Sequence, residues 1–300
     1  MYDLAIIGGG PAGLTAAIYG QRYGLKTVVL ASQVGGLLVE NPLIENYPGF
    51  RSVAGPELAQ AMHGHATGLG AEVRAERVVG LRKKGRSFIV RTELGQVEAK
   101  AVVLAHGLKR RKLGVKGEER FLGKGVSYCA TCDAPFFRGK KVAVVGGGNS
   151  AALASLILSE FASRVFIIYR RDRFFRMQPY YLQKIEGTGK IKPLFKEEIE
   201  ELLGGDRLEA VKLKTGRELK VDGLFVEIGF QPDIPFETDL KFARDGRGFL
   251  KVDSGMRTSE PGVFAAGDIT TGSDYFWQIA TAVAEGAIAA RSAYDYLLRG

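Results

Sequence analysis

The two cysteines of this chain, Cys129 and Cys132, form a C-x-x-C motif. A structural zinc site needs four ligands, and the three histidines, His63, His65 and His106, do not have the spacing of a zinc finger. A structural disulfide across two intervening residues would close almost no loop and would stabilise the fold little. The motif therefore favours a redox pair that opens and closes during turnover, and we expect no metal site.

A glycine-rich turn near the amino terminus must be positioned by the elements around it. Residues 4–7 form an apolar strand pattern, and a G-x-G-x-x-G turn, a helix pattern over 14–23 and a second strand pattern at 27–30 follow. In this order the glycines let backbone N–H groups approach a pyrophosphate at the positive end of the helix. The turn residues that we predict to hold a dinucleotide are Gly8, Gly10, Pro11, Ala12 and Gly13. Because no acidic residue follows the second strand closely, Ser32, Gln33 or the backbone must supply the ribose contacts.

A second unit repeats this order, with strand patterns at 141–145 and 165–169 on either side of another glycine turn and helix pattern. The turn residues that we predict to hold a second dinucleotide are Gly146, Gly148, Asn149 and Ser150. Arg170 and Arg171 directly follow the second strand, and Arg176 lies close behind. Guanidinium groups at this place match a 2′-phosphate, so the sequence favours NADP over NAD. A solvated basic turn is the alternative, and the aspartate after the arginine pair leaves room for NAD.

Composition is that of an ordinary globular chain, with 46% hydrophobic and 25% charged residues, and the length of 300 residues predicts two domains. The net charge of +9 would suit anionic partners. However, the basic clusters are scattered and no nucleic-acid motif occurs, so we expect no nucleic-acid partner. No apolar stretch reaches the ~18 residues that cross a bilayer, so we expect a soluble intracellular protein without membrane contact.

Further motifs extend over nearly the whole chain. Together with the first G-x-G-x-x-G they are the Gly35-Gly36 turn, the segment 45–49, the Cys-Ala-Thr-Cys-Asp run at 129–133, the turn at 146–151, Arg170-Arg171-Asp172 and the segment 262–268. In this combination the chain resembles the low-molecular-weight thioredoxin reductases. The resemblance implies an α/β fold with two Rossmann-like, three-layer nucleotide-binding domains, the NADP domain being inserted into a discontinuous FAD domain. It implies a FAD-binding domain at 1–111 and 240–300 and an NADP-binding domain at 112–239 that carries the C-x-x-C.

The resemblance also implies FAD and NADPH as cofactors and a route for the electrons. NADPH would pass hydride to FAD, and the reduced flavin would open the Cys129–Cys132 disulfide. Cys132 would be the sulfur next to the flavin, Cys129 would attack the disulfide of a partner, and Asp133 would serve the thiols as acid and base. The further residues implied on the flavin side are Gly36, Leu37, Asn46, Val78, Gly107, Gly267, Asp268, Gln278 and Ile279. The implied partner is a thioredoxin or a glutaredoxin-like protein, and the implied assembly is a cytoplasmic homodimer.

Departures from the family pattern cluster around the nicotinamide. Tyr169 stands where a histidine often precedes the arginine pair, and Trp277 stands in place of an arginine before Gln278. These changes predict weak or slow use of NADPH. They keep open a flavin dithiol oxidase, or a reductase with a donor other than NADPH; a flavoprotein redox sensor is a further alternative. We interpret Phe136–Phe137 and Phe174–Phe175 as packing residues, with a docking face as the alternative.

Overall fold

The computed structural model describes residues 1–299. The strands of these residues are, in chain order, β1 (Tyr2–Gly9), β2 (Thr27–Val34), β3 (Glu72–Arg74), β4 (Val78–Lys84), β5 (Ser87–Thr92), β6 (Gln96–Leu104), β7 (Lys109–Arg110), β8 (Val126–Ser127), β9 (Lys141–Val145), β10 (Arg164–Tyr169), β11 (Ile191–Phe195), β12 (Ile199–Leu203), β13 (Ala210–Leu213), β14 (Glu218–Lys220), β15 (Gly223–Val226), β16 (Phe230–Gln231), β17 (Glu237–Thr238) and β18 (Val263–Ala265). The helices are α1 (Pro11–Arg22), α2 (Gly55–Gly68), α3 (Glu118–Phe121), α4 (Ala130–Asp133), α5 (Asn149–Phe161), α6 (Pro179–Thr188) and α7 (Ile279–Arg299), with short 3-10 helices at Gly36–Glu40 and Ala134–Phe137. None of the described helices is long and apolar enough to cross a membrane.

Two compact units divide the described chain. The first unit comprises Met1–Lys109 and the chain from Pro232 onward, and the second unit comprises Arg110–Gln231. The resemblance implies domain bounds at 111/112 and 239/240, and the charged segment 109–117 and the Pro-bearing segment 231–235 are the candidate crossovers in the sequence. The divisions between the two units fall inside these two segments, and Ile234 and Phe236 already pack into a core of the first unit while β17 pairs with β4.

The first unit is built on a sheet with the order β17-β4-β5-β6-β1-β2-β3, and β18 pairs with β6. Successive residues of a strand point to opposite faces of a sheet, so β1 contributes to two cores. Leu4 and Ile6 pack with side chains of α1, α2 and α7, whereas Ala5 and Ile7 pack with side chains of β4 and β5. The parallel strands β1, β2 and β6 bring their carboxyl ends to one edge, where the first glycine turn lies.

The second unit is built on the parallel sheet β11-β10-β9-β15-β8. Val142 and Val144 of β9 pack with α5 and α6 on one face, and Ala143 and Val145 pack with the antiparallel sheet β12-β13-β14 on the other. The sheet therefore lies between two covering layers. The predicted α/β fold with two Rossmann-like nucleotide-binding sheets is confirmed.

Candidate active site

The glycine turn of the first unit closes the carboxyl end of β1 against its neighbours. A Cβ on Gly8, whose φ is +117°, would lie 2.2 Å from the carbonyl oxygen of Ala105. A Cβ on Gly13 would lie 1.9 Å from the carbonyl oxygen of Gly8, so only glycine lets α1 pack this close to the turn. Gly10 faces open space, and α1 begins after it at Pro11 without a side-chain cap. The N–H groups at the start of α1 are therefore left for an anionic group, which fits a dinucleotide pyrophosphate.

The loop after β2 packs onto the same turn. The Gly35 N–H donates a 2.7 Å hydrogen bond to the carbonyl oxygen of Gly9. Gly36 has a φ of +56°, and a Cβ there would lie 3.3 Å from Cα of Gly10. The predicted residues whose side chains are exposed here are Ser32, Gln33 and Leu37. Two polar side chains, Ser32 and Gln33, together with Leu37 and the turn form an open cradle at the carboxyl edge of the sheet.

A side-chain hydrogen bond joins two predicted flavin-side residues that lie far apart in the sequence. Asn46 Nδ2 donates to Gln278 Oε1 at 2.9 Å. Gln278 directly precedes α7, and its N–H donates to Oγ1 of Thr281 at 3.1 Å. Ile279, the first residue of α7, packs partly buried against the helix-side core. The start of α7 thus lies beside the segment that carries Asn46.

Asp268 lies next to a buried acid. A Cβ on Gly267, whose φ is +81°, would lie 3.0 Å from Cβ of Ala12, so the Gly-Asp element packs against the start of α1. The Gly267 N–H and the Thr270 hydroxyl each donate a 2.8 Å hydrogen bond to Oε2 of Glu285. Glu285 is 4% exposed, and its Oε1 has no hydrogen-bond partner within residues 1–299. Burial, with a smaller contribution from the Glu285 carboxylate, raises the pKa of Asp268 to about 6.

Two further predicted flavin-side residues offer backbone to a ligand. Val78 opens β4 with a side chain that is 6% exposed and packs in the core, so only its backbone is available. Gly107 follows β6 with a φ of +67°, and nothing lies within 4 Å of its Cβ position. Both residues lie in the first unit with the cradle.

Glu285 and His106 are polar groups of the first unit that the motifs do not indicate. His106 Nε2–H donates to the carbonyl oxygen of Asp233 at 2.9 Å, and Nδ1 is buried without a partner among the described residues. Burial lowers the pKa of His106 to about 4. The one available signal for Glu285 is a single acid within the alanine-rich run of the last helix. For His106 the sequence gives only a histidine two residues after a buried strand.

The redox pair lies at the start of a short helix in the second unit. Cys129 and Cys132 form a disulfide with Cα atoms 5.3 Å apart. Helix α4 begins directly after Cys129, and the Cys132 N–H points at Cys129 Sγ at 3.2 Å. Cys132 is exposed and Cys129 is partly buried. Asp133 ends α4, and its N–H donates to the carbonyl oxygen of Cys129 at 3.2 Å.

Buried polar groups hold the segment that leads into this pair. Ser127 is 6% exposed, and its hydroxyl oxygen accepts a 2.9 Å hydrogen bond from the Cys129 N–H. Glu118 is 5% exposed and accepts hydrogen bonds from the Tyr128 hydroxyl and from the Gly114 N–H, the latter at 2.6 Å. Burial and the neighbouring Glu118 carboxylate raise the pKa of Tyr128. The backbone on the amino-terminal side of Cys129 is therefore fixed.

The glycine turn of the second unit repeats the geometry of the first. A Cβ on Gly146, whose φ is +148°, would lie 2.2 Å from the carbonyl oxygen of Glu227. Gly148 faces open space, and α5 begins after it at Asn149 without a side-chain cap. Ser150 is exposed in the first turn of α5. The start of α5 therefore also fits an anionic group.

The three predicted phosphate-binding arginines are exposed beyond the end of β10. The guanidinium carbons of Arg171 and Arg176 lie 4.3 and 5.6 Å from the ring centroid of Phe175. Cation–π contacts of this kind are favourable at exposed sites. Two guanidinium groups thus converge on one aromatic ring, and Arg170 lies in the same exposed turn.

The interpretation of the phenylalanine pairs as packing residues holds for one member of each pair. Phe137 is 9% exposed and contacts Phe225 with ring centroids 5.2 Å apart, and Phe174 is partly buried. Phe136 is 73% exposed and Phe175 is 48% exposed, so the interpretation is wrong for these two. Adjacent residues point in different directions from the chain, and one ring of each pair therefore stays in solvent.

Comparisons with known proteins agree with this geometry over the length of the chain. The family model described as pyridine nucleotide-disulphide oxidoreductase matches residues 2–286. A thioredoxin reductase of Treponema pallidum is 40% identical to this chain, and the alignment covers 99% of this chain and 97% of that protein. The solved thioredoxin reductase of Lactococcus lactis superposes with a TM-score of 0.94 at 38% identity over 100% of both chains. That of T. acidophilum superposes with a TM-score of 0.92 at 39% identity over 99% of both chains. The chain therefore belongs to the pyridine nucleotide-disulphide oxidoreductase family and, within it, to the thioredoxin reductases.

Proposed function

We propose that this protein is a flavin-dependent protein disulfide reductase that takes hydride from NADPH and reduces the disulfide of thioredoxin through Cys129 and Cys132. The observation that carries the proposal is the disulfide at the start of α4, in a chain with two uncapped dinucleotide turns. A dithiol in this position exchanges electrons with another disulfide without any further group. The predicted FAD domain corresponds to the first unit, and the predicted NADP domain to the second.

Cys129 is the proposed nucleophile toward the partner. In the reduced pair, its thiolate is stabilised by the Cys132 N–H, which points at Sγ. The thiolate attacks one sulfur of the partner disulfide, a mixed disulfide forms, and the second partner sulfur leaves as a thiolate. Cys132 then attacks Cys129 Sγ, so the Cys129–Cys132 bond re-forms and the partner leaves as a dithiol. Two electrons pass to the partner, and two protons follow.

Asp133 is the proposed proton carrier for these thiols. It is the last residue of α4 and stays close to the pair because its N–H is bonded to the Cys129 carbonyl oxygen. A partly buried carboxylate at the end of this helix could take the proton of one thiol and return it to the leaving sulfur. The role is assigned through the family resemblance and the position in the helix.

The residues of the first unit fit FAD, and the arginine turn of the second unit fits the 2′-phosphate of NADPH. The pyrophosphate of FAD would meet the N–H groups after Gly10, and the Asn46–Gln278 pair would lie at its ring side. When bound, FAD supplies the exchange of an electron pair between a hydride donor and a disulfide. The residues of the chain would bind FAD, position the two sulfurs and recognise the 2′-phosphate of NADPH.

The proposal is tested by anaerobic turnover of the purified holoenzyme with NADPH and an excess of thioredoxin. We expect stoichiometric formation of thioredoxin dithiol over many cycles, with no need for oxygen. Oxygen consumption driven by dithiols in the absence of NADPH, together with no NADPH-dependent turnover, would instead identify a dithiol oxidase. Replacing thioredoxin with a glutaredoxin in the same assay tests the broader partner range that the resemblance implies.

Phe136 is a candidate contact for the protein partner. Its ring lies three residues after Asp133 and is 73% exposed. Burying a large apolar side chain against a partner removes apolar surface from water, which favours binding. We expect Phe136→Ala to raise the KM for thioredoxin about tenfold and to leave flavin reduction by NADPH unchanged. Leu122→Ala, which removes another exposed apolar side chain of the second unit, is the matched control. Equal KM values for both variants would show that the ring does not contact the partner.

Asp268 should make FAD binding depend on pH. Its pKa is raised to about 6 before a ligand binds, so the carboxyl is ionised above that pH and protonated below it. An ionised carboxylate accepts hydrogen bonds from cofactor hydroxyls more strongly than a protonated one, worth about 1.5–3 kcal/mol per bond. We expect FAD affinity to fall as the pH drops from 7 to 5, and Asp268→Asn to bind FAD about tenfold more weakly at pH 7.5 with a much flatter profile. Fluorescence of released FAD measures both, and parallel profiles for the two proteins would contradict the role of Asp268.

The assembly and location follow from the same proposal. We propose a homodimer in the cytoplasm, where a reductase supplies thioredoxin with electrons. Light scattering of the eluted holoenzyme distinguishes a mass near twice 32.5 kDa from the mass of one chain. A single-chain mass at working concentrations would remove the dimer from the proposal without affecting the redox chemistry.

A further inference from the structure

The two glycine turns can be compared residue by residue, because the strand pairs around them share one register. Ile7 of β1 pairs with Leu30 of β2 in the first unit, and Val145 of β9 pairs with Ile168 of β10 in the second. The residues that follow these pairs are a glycine on the first strand and, on the second strand, an alanine in one unit and a tyrosine in the other. The equivalent residues at the strand ends are thus Ala31 and Tyr169.

These two residues face the middle glycine of their own turn. A Cβ on Gly9 would lie 2.8 Å from Cβ of Ala31. A Cβ on Gly147 would lie 2.2 Å from Cε2 and 2.3 Å from Cζ of Tyr169. An aromatic ring edge therefore rests on the turn of the second unit, at the place where the first unit has only a methyl group.

Neighbouring aromatic rings hold Tyr169 in this position. The ring stacks on Phe174 with centroids 5.7 Å apart and an angle of 24° between the planes. Phe174 in turn meets Phe195 at 4.9 Å in an edge contact. Aromatic pairs at these distances are favourable beyond the area they bury. We call Tyr169, Phe174 and Phe195 the aromatic cluster of the second turn.

The segment that carries the arginines is tied to the same turn at its other end. The Gln178 N–H donates a 2.9 Å hydrogen bond to Oδ1 of Asn149, the first residue of α5. Met177 is 5% exposed and packs in the core beside α5. Residues 170–178 therefore start at the ring on Gly147 and end at the start of α5.

A dinucleotide bound at such a turn places its pyrophosphate at the helix start and its adenosine half along the end of the second strand. Gly148 and the start of α5 are open to the pyrophosphate, and the arginines are exposed for the 2′-phosphate. The ring of Tyr169 rests on Gly147, the residue before the open Gly148, and Tyr169 directly precedes Arg170 in the chain. The adenosine ribose can approach Gly147 only if this ring swings away.

We propose that Tyr169 gates the pyridine-nucleotide site: its ring, held by Phe174, covers the second glycine turn and must be displaced before the adenosine half of NADPH can bind. The inference deepens the proposed function, on which it rests, by naming the residue that limits use of the donor. The apparent affinity for NADPH is proportional to the fraction of molecules in which the ring is displaced, so a small fraction means weak binding. Removing the ring should raise that fraction toward one.

The test is calorimetric titration of the holoenzyme with NADP⁺, a probe that binds without passing hydride. We expect Tyr169→Ala to bind NADP⁺ about five- to a hundredfold more tightly than the parent protein, the range set by one or two aromatic contacts. Tyr169→Phe keeps the ring and is the matched control, with an expected change of less than about twofold. Phe174→Ala leaves the ring in place without its stacking partner, and we expect a gain smaller than that of Tyr169→Ala.

If Tyr169→Ala and Phe174→Ala both bind NADP⁺ no more tightly than the parent protein, the gate is overturned. A ring that contacts the bound adenosine instead of blocking it would make the affinity of these variants fall. FAD content and the unfolding temperature show whether each variant has folded, and Phe174→Ala carries the test if Tyr169→Ala has not. Reduction of thioredoxin by photochemically reduced holoenzyme is measured in parallel, because it bypasses the nucleotide. Failure of that reaction in the parent protein would contradict the proposed function, whereas unchanged NADP⁺ binding with intact thioredoxin reduction would remove the gate alone.

Discussion

Serine in place of Cys129, or in place of Cys132, should lower the rate of thioredoxin reduction by about a thousandfold or more. Either replacement removes one of the two sulfurs that form the bond of the resting pair, so no electron pair can be stored there and passed on. Flavin reduction by NADPH should continue at the parent rate, because the residues proposed to hold FAD and NADPH are left unchanged. Stopped-flow flavin absorbance and a thioredoxin dithiol assay, run on the same preparations, measure the two reactions separately.

The two serine variants should differ in what they trap. The Cys132 N–H points at Cys129 Sγ, so Cys129→Ser removes the sulfur that is favoured as a thiolate. Cys132→Ser keeps that sulfur and lacks the one that would release the partner, and we expect it to accumulate a mixed disulfide with thioredoxin. Mass spectrometry under non-reducing conditions detects the adduct. An adduct formed by Cys129→Ser and not by Cys132→Ser would reverse the assigned roles of the two sulfurs.

Replacing both Arg171 and Arg176 with alanine should lower the preference for NADPH over NADH by about a hundredfold. Each guanidinium would donate charge-assisted hydrogen bonds to the 2′-phosphate, worth about 1.5–3 kcal/mol per bond, and NADH lacks this group. The two side chains converge because both contact the ring of Phe175. The measurement is the concentration dependence of flavin reduction with each nucleotide.

A second basic variant separates phosphate recognition from a general loss of positive charge. Arg138 is exposed in the second unit and contacts Phe161, with its guanidinium carbon 5.2 Å from the ring centroid, so Arg138→Ala removes a charge of the same kind elsewhere. We expect this variant to keep the parent preference. If the double variant loses NADPH and NADH in equal measure, the arginines do not read the 2′-phosphate.

The two nucleotide folds were predictable from sequence because local patterns determine them. The turn requires glycine at positions 8 and 13, because a Cβ on Gly8 or Gly13 would clash with backbone atoms. The apolar strand patterns on either side are buried, as the strands of a parallel sheet are. The hydrogen bond between Asn46 and Gln278 joins segments 232 residues apart, and only the family resemblance indicated both residues.

The return to the first unit at Pro232, where Ile234 and Phe236 join its core, had a signal in the Pro-bearing segment 231–235, although the family resemblance implied bounds at 239/240. Other features depend on side-chain packing that no spacing encodes. A lone acid in an alanine-rich helix does not indicate that Glu285 binds the Gly267 N–H. The middle glycine of the second turn, Gly147, leaves space for the Tyr169 ring, but Gly9 at the same place in the first turn meets the methyl group of Ala31 instead of a ring, so this glycine alone does not indicate the ring.

The central claim is that an electron pair enters from NADPH and leaves through Cys129 and Cys132 to thioredoxin. Anaerobic double-mixing stopped flow tests it most directly: the holoenzyme is mixed first with two equivalents of NADPH, one for the Cys129–Cys132 disulfide and one for the flavin, and then with thioredoxin disulfide, while the flavin absorbance is followed. The account predicts bleaching after the first mix, slow at low NADPH, and recovery of the oxidised flavin after the second mix in the parent protein but not in Cys129→Ser. Absence of bleaching by NADPH, or recovery at the same rate in Cys129→Ser, would contradict it.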